Sequence, residues 1–180
     1  MKTKLGSFVK SNVETYTKQD NWEYVNYLDT GNLTEDAIEN FMYIDLEKES
    51  LPSRAKRKIK KDDILFSTVR PNQRHFGIVK TVPKNTLVST GFSVIEVDKS
   101  IANPYYIYYW LTQSNVINFL QSIAEQTVSA YPSIKSSDIE NLDIDLPPLA
   151  IQNKVAKILQ SLSQKIEINN QINKNLLAYR

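Results

Sequence analysis

Pro147-Pro148-Leu149-Ala150-Ile151-Gln152 opens a stretch that runs to Arg180 without a glycine or a further proline, and its reading decides the architecture. Within it Val155, Leu159, Leu162, Ile166, Asn169, Asn173 and Leu176 recur at spacings of 4, 3, 4, 3, 4 and 3, a sustained heptad seam. At the α-helical rise this predicts a rod of roughly 50 Å. A rod of that length cannot bury its whole apolar stripe against the residues that precede it, so a partner helix is expected. Ile158 and Ile172 flank the seam and widen it. Asn169 and Asn173 sit inside it, where buried asparagine pairs poorly with apolar residues and fixes register and partner number. A solvated helix end would be asparagine-rich as well.

The preceding residues alternate strands and helices without a repeating βαβ rhythm. Trp22–Leu28, Met42–Leu46, Asp63–Val69, Phe76–Lys80 and Phe92–Val97 read as strands, rich in β-branched and aromatic residues. A helix follows, opened by Pro104, with Ile107, Trp110, Leu111, Ile117 and Leu120 on one face. Ser137-Asp138-Ile139-Glu140 reads as a capping box before a short helical turn, and Leu142, Ile144 and Leu146 alternate as a last strand. The class expected is α+β: a mixed, mostly antiparallel sheet domain followed by one long C-terminal coiled-coil helix.

Composition narrows the function. Hydrophobic residues make up 41% and charged residues 23%, ordinary for a globular chain. There is no cysteine, which rules out disulfides and thiolate metal sites and permits a cytoplasmic location. No run approaches membrane-spanning length. His75 is the single histidine, so a multi-histidine metal site is impossible and no metal is expected. The net charge of +2 hides a dipole: residues 11–50 carry a net −8 and residues 51–84 a net +8. One block is expected to face a polyanion, with the other turned away from it or toward a basic partner.

Three stretches are candidates for that contact. Arg54, Lys56, Arg57, Lys58, Lys60 and Lys61 place six cations within residues 54–61, suited to phosphates or simply to solvent. Arg70-Pro71-Asn72-Gln73-Arg74-His75 joins two strands; Arg70 and Arg74 can read guanine edges, Asn72 and Gln73 adenine edges, with His75 beside them. Polar tips also suit plain solvent exposure. Gln126, Ser129, Tyr131, Ser133 and Lys135 lie in a polar, aromatic-tipped stretch that either reaches a duplex or merely connects elements. Asn103-Pro104-Tyr105-Tyr106 approaches the Asn-Pro-Pro-Tyr loop of amino-methyltransferases, but no Gly-rich loop accompanies it and a helix start is the simpler reading. Glu96-Val97-Asp98-Lys99 lacks the spacing of a nuclease metal strand and reads as a strand end.

Taken together, the Leu142–Leu146 strand, the Pro147-Pro148-Leu149-x-x-Gln152 junction, Val155-Ala156 and the Leu159/Leu162/Ile166 ladder resemble the conserved-region helix of type I restriction-modification specificity subunits. Lys61 to Pro71 resembles the family's Gly-Asp-Ile-Leu-x-Ser-x-Arg strand, with Asp62 in place of the glycine. Ile151 and Ser163 stand where an acidic residue is common, and neither alters the seam. The match covers residues 58–80 and 101–176. It implies that residues 1–146 form a DNA target recognition domain and residues 147–180 a ruler and dimerisation helix. The implied protein has no catalysis or cofactor of its own. It binds double-stranded DNA and docks a methyltransferase (modification) subunit, which a restriction-translocase subunit can join. With one domain and one helix the expected form is a half-length subunit that pairs with a second copy through an antiparallel coiled coil. A fragment of a two-domain subunit is the alternative within the class; a self-contained DNA-modifying enzyme and a structural coiled-coil adaptor are alternatives outside it.

Overall fold

The computed structural model describes residues 2–126 and 131–178. In chain order these form β1 (Lys2–Lys4), β2 (Val9–Ser11), β3 (Tyr24–Leu28), β4 (Leu33–Thr34), β5 (Ala37–Ile38), β6 (Met42–Asp45), β7 (Ala55–Lys58), β8 (Ile64–Ser67), β9 (Phe76–Ile78), β10 (Thr86–Ser89) and β11 (Phe92–Val97). The helices α1 (Pro104–Leu111), α2 (Ser114–Glu125) and α3 (Ser136–Glu140) follow, then β12 (Asp143–Asp145) and α4 (Leu149–Ala178). Two four-stranded sheets, ordered β6-β3-β10-β7 and β2-β11-β8-β9, dominate. Among the described residues only the β3–β10 ladder is parallel, so the sheets are mixed and mostly antiparallel.

Strand β8 explains the layering. All four of its residues are buried because its two faces enter different cores. Ile64 and Phe66 join Ile95, Ile107, Leu111, Leu120 and Ile139 beneath the helices. Leu65 joins Leu28, Val88, Phe92 and Val94 between the two sheets. The far face of the first sheet, with Val25, Ile44 and Leu87, is covered by Tyr16, Trp22, Leu46 and Leu51. Strand β12 pairs antiparallel with β1 and so delivers the Pro147-Pro148 junction to the helical layer.

Several expected elements shift for identifiable reasons. The helix predicted to run from Pro104 through Leu120 breaks in two. Thr112 Oγ1 donates to Tyr108 O at 3.0 Å and Gln113 is extended, so the chain restarts at Ser114. Trp110 is only partly buried against the core. The cap of α3 lies two residues earlier than predicted, where Asp138 Oδ2 accepts from Lys135 N at 2.7 Å. The strand read from Trp22 begins at Tyr24. Strands β1, β2, β7 and β10 escape a reading by alternation: β7 is a basic edge strand, and β10 is buried at every residue.

Candidate nucleic-acid interface

Folding gives much of the basic run partners within the chain. Ala55–Lys58 is the edge strand β7 rather than a solvated loop. Arg57 is half-buried, donates to Asn12 Oδ1 at 2.5 Å, and has its pKa pushed down by burial. Lys58 pairs with Asp20, whose carboxyl it holds below its ordinary pKa, and lies 5.6 Å over the Trp22 ring. Lys60 lies 2.6 Å from Glu14 and 3.7 Å from Glu96. Glu14 and Asp20 belong to the acidic block. The two charge blocks are therefore stitched together, not turned apart as the sequence suggested. Arg54, Lys56 and Lys61 stay exposed.

The turn after β7 also buries Asp63, whose Oδ2 accepts from Lys60 N at 2.7 Å. Desolvation, reinforced by Glu96 and Glu14, pushes its pKa from the ordinary 3.8 up to about 6. The folded chain thus holds this proton more tightly than the unfolded chain does, and stability falls as pH rises from about 4 to about 6. Asp63→Asn keeps an acceptor for Lys60 N and removes the charge. It is expected to raise stability near pH 7 by about 2–3 kcal/mol, a gain that fades towards pH 4. Urea midpoints at the two pH values read this, and an equal gain at both would refute the burial account.

The Arg70–His75 segment joins β8 to β9 through a 3-10 turn at Pro71–Gln73. Both flanking residues are left-handed, Arg70 at φ 47° and Arg74 at φ 59°. For non-glycine residues such backbone costs about 1–3 kcal/mol and persists where neighbours over-determine it. The neighbours are visible. Arg70 N donates to Pro132 O at 2.9 Å, Val69 bridges to Ser133, and Asn72 N donates to Gln121 Oε1 at 3.2 Å. Three segments far apart in sequence thus share one surface. Asn72 and Gln73 are exposed, and Tyr131 is 68% exposed with the Arg70 guanidinium 5.7 Å over its ring.

The other expected tip residues are engaged within the chain. Arg74 pairs with Glu35 and lies 5.5 Å over Phe76. His75 Nδ1 donates to Leu33 O at 2.7 Å. Gln126 and Lys135 are exposed and Ser133 is half-buried, while Ser129 lies outside the described residues. Gln121 was missed by sequence reasoning. Its only signal is a polar residue beside the buried Leu120 of an amphipathic helix, and that marks any solvent-facing position. Asn103 is engaged at a helix start: its Oδ1 accepts from Tyr105 N and Tyr106 N, and its Nδ2 donates to Asn153 Oδ1 at 2.8 Å.

Helix α4 docks on the domain through one face and leaves the opposite face uncovered. Gln152 is fully buried: Oε1 accepts from Asn103 N at 2.9 Å, and Nε2 donates to Pro147 O at 2.8 Å and to Ile101 O at 3.3 Å. Ala156 is buried beside it; further along, Ser163 meets Tyr109 at 3.1 Å and Glu167 accepts from Lys80 at 3.3 Å. Val155 and Leu159, expected within the seam, are half-buried. Ile158, expected only to flank it, is 62% exposed and central to the open stripe with Leu162, Ile172 and Leu176. Ile166, Asn169 and Asn173 are also exposed. Gln152→Leu would strand one N–H and two carbonyls, and is expected to cost about 1–3 kcal/mol as a lower urea midpoint. An unchanged midpoint would show that these bonds contribute nothing net.

A mixed-sheet domain with a polar loop surface thus carries a long helix docked along one face. Residues 1–178 match the family described as Type I restriction modification DNA specificity domain, and the chain belongs to that family. It is 33% identical over 145 residues to the HindI type I restriction enzyme specificity subunit of Haemophilus influenzae, covering 79% of this chain and 32% of that protein. It is 29% identical over 143 residues to the putative MjaX type I specificity subunit of Methanocaldococcus jannaschii, covering 74% of this chain and 32% of that one. The chain therefore spans about a third of the length of these curated relatives. In structure it resembles the HsdS subunit of Thermoanaerobacter tengcongensis with a TM-score of 0.77 at 24% identity, over 96% of this chain and 44% of that one. No helix among the described residues is long and apolar enough to cross a membrane.

Proposed function

We propose that the chain is a non-catalytic DNA-recognition subunit of a type I restriction-modification complex, with residues 1–146 reading the target and residues 147–180 acting as ruler. The observation that carries this reading is the convergence of Arg70, Asn72 and Gln73 with Tyr131 and Gln121 on one surface. It sets donors and acceptors suited to base edges beside a guanidinium and an aromatic ring. Arg54, Lys56 and Lys61 supply sequence-independent phosphate contact. Family membership supports both assignments. One chain reads one half-site and docks a methyltransferase subunit, which brings the methyl donor and the adenine chemistry; a restriction-translocase subunit can join.

The uncovered stripe of α4 supports a homodimer. Two copies related by a two-fold axis present the same recognition surface twice, so their half-sites are identical and inverted. The target expected is an interrupted palindrome whose centre goes unread. Mapping methylated sites in cells that express only this chain with a methyltransferase subunit tests this. An asymmetric site would overturn the homodimer and favour pairing with a second, different domain. Heat of binding on titrating the isolated chain with a methyl donor would favour a self-contained enzyme instead.

A further inference from the structure

The face of α4 that the domain leaves open carries a register. At about 100° per residue, Gln152, Ala156, Ser163 and Glu167 lie on the docked side. Ile158, Leu162, Lys165, Asn169, Ile172 and Leu176 lie roughly opposite, at spacings of 4, 3, 4, 3 and 4, and all six are exposed. We infer that this face is covered by α4 of a second copy running antiparallel, with the two-fold axis at Glu167. Ile158 then packs on Leu176 of the second copy, Leu162 on its Ile172, and Lys165 on its Asn169. The inference rests on the homodimer reading above and adds its register.

Three heptad-spaced alignments bring the two stripes face to face, and polarity separates them. A slip of one heptad in one direction sets Leu162 against Lys165 and Ile158 against Asn169. A slip in the other direction sets Ile172 against Asn169 and Leu176 against Lys165. Both press an amide and an ammonium onto apolar side chains, which strands their hydrogen-bonding groups. The chosen alignment sets apolar against apolar in both outer layers and lets the Lys165 ammonium donate to the Asn169 carboxamide oxygen in the central ones. A parallel, in-register pair would set Lys165 against Lys165, like charge on like. Docking fits the same axis: the chain's own domain holds α4 from Gln152 as far as Glu167. The second domain occupies the corresponding stretch beyond the axis, so neither competes for the other's segment.

The natural chain has no cysteine, which makes disulfide trapping clean. Under mild oxidation, Leu162→Cys with Ile172→Cys is expected to convert most of the protein to a covalent dimer. The pairs Ile158→Cys with Asn169→Cys and Lys165→Cys with Leu176→Cys, which report the two slipped alignments, are expected to link several-fold less. A heptad slip moves the facing residue by about 10 Å, beyond the roughly 7 Å Cα separation that a disulfide spans. Preferential linking of either slipped pair overturns the register, and linking by Leu162→Cys and by Ile172→Cys, each as a single variant, overturns the antiparallel orientation; both leave the dimer standing. A chain that scatters light as a monomer and links in no variant overturns the dimer reading itself.

Discussion

Ile158→Asp combined with Leu162→Asp is expected to leave the chain folded and turn it into a monomer. The two side chains are 62% and 51% exposed when a single copy is considered, so their replacement removes little from the domain's own packing. In a dimer the same positions are covered. Each substitution then buries an unpaired carboxylate at a cost of several kcal/mol, and symmetry doubles the count. At about 1.4 kcal/mol per tenfold, the dissociation constant rises by more than about a thousandfold. Light scattering should fall from about twice the 20.7 kDa chain mass to one chain mass, with the circular dichroism unchanged. Two results count against the seam: a variant that keeps the dimer mass at tens of micromolar, or a parent chain that is already monomeric.

Arg70→Ala is expected to lose about 1–3 kcal/mol of affinity on the cognate half-site and little on random duplex, because a bidentate arginine discriminates between bases. Lys56→Gln with Lys61→Gln should act differently. Both residues are exposed cations that belong to none of the ion pairs among the described residues. Their loss should weaken binding to every sequence alike and reduce the salt slope by about 0.9 for each phosphate contact removed. Neutralising Lys58 or Lys60 should instead appear first as lost stability, since each already pairs with a carboxylate. Titrations against cognate and random DNA at several salt concentrations separate these outcomes. Equal losses for Arg70→Ala on both duplexes would reduce the tip to a positioning role.

Much of the architecture was legible because periodicity records which faces are apolar. The seven-residue repeat after Pro148, uninterrupted by glycine or proline, sufficed for α4. The run Asp63 to Val69 sufficed for a strand, and the layering then buried β8 on both faces. The same repeat did not say which flank of α4 would dock. That was settled by Gln152, a polar residue whose burial is tolerable only because Asn103 N and the carbonyls of Ile101 and Pro147 meet it. Its consequence is the shift of the open stripe toward Ile158 and away from Leu159.

The candidate interface was legible in part. Residue types marked Arg70, Asn72, Gln73 and Tyr131, because their side chains carry the right donors, acceptors and ring wherever they lie. Tertiary structure alone decided that Arg74 turns to Glu35, that His75 turns to Leu33 O, and that Asn72 meets Gln121. It also decided that Lys58 finds Asp20 and Lys60 finds Glu14, leaving Lys56 and Lys61 exposed. The physical reason is common to all of these. A local pattern states what a residue can offer and whether its face is apolar, whereas a partner 38 or 42 positions away is set by how the strands pair and the layers stack. The sequence by itself determined the rod, the mixed sheets and the supply of DNA-compatible side chains; the packing of those sheets determined which of the side chains remain available.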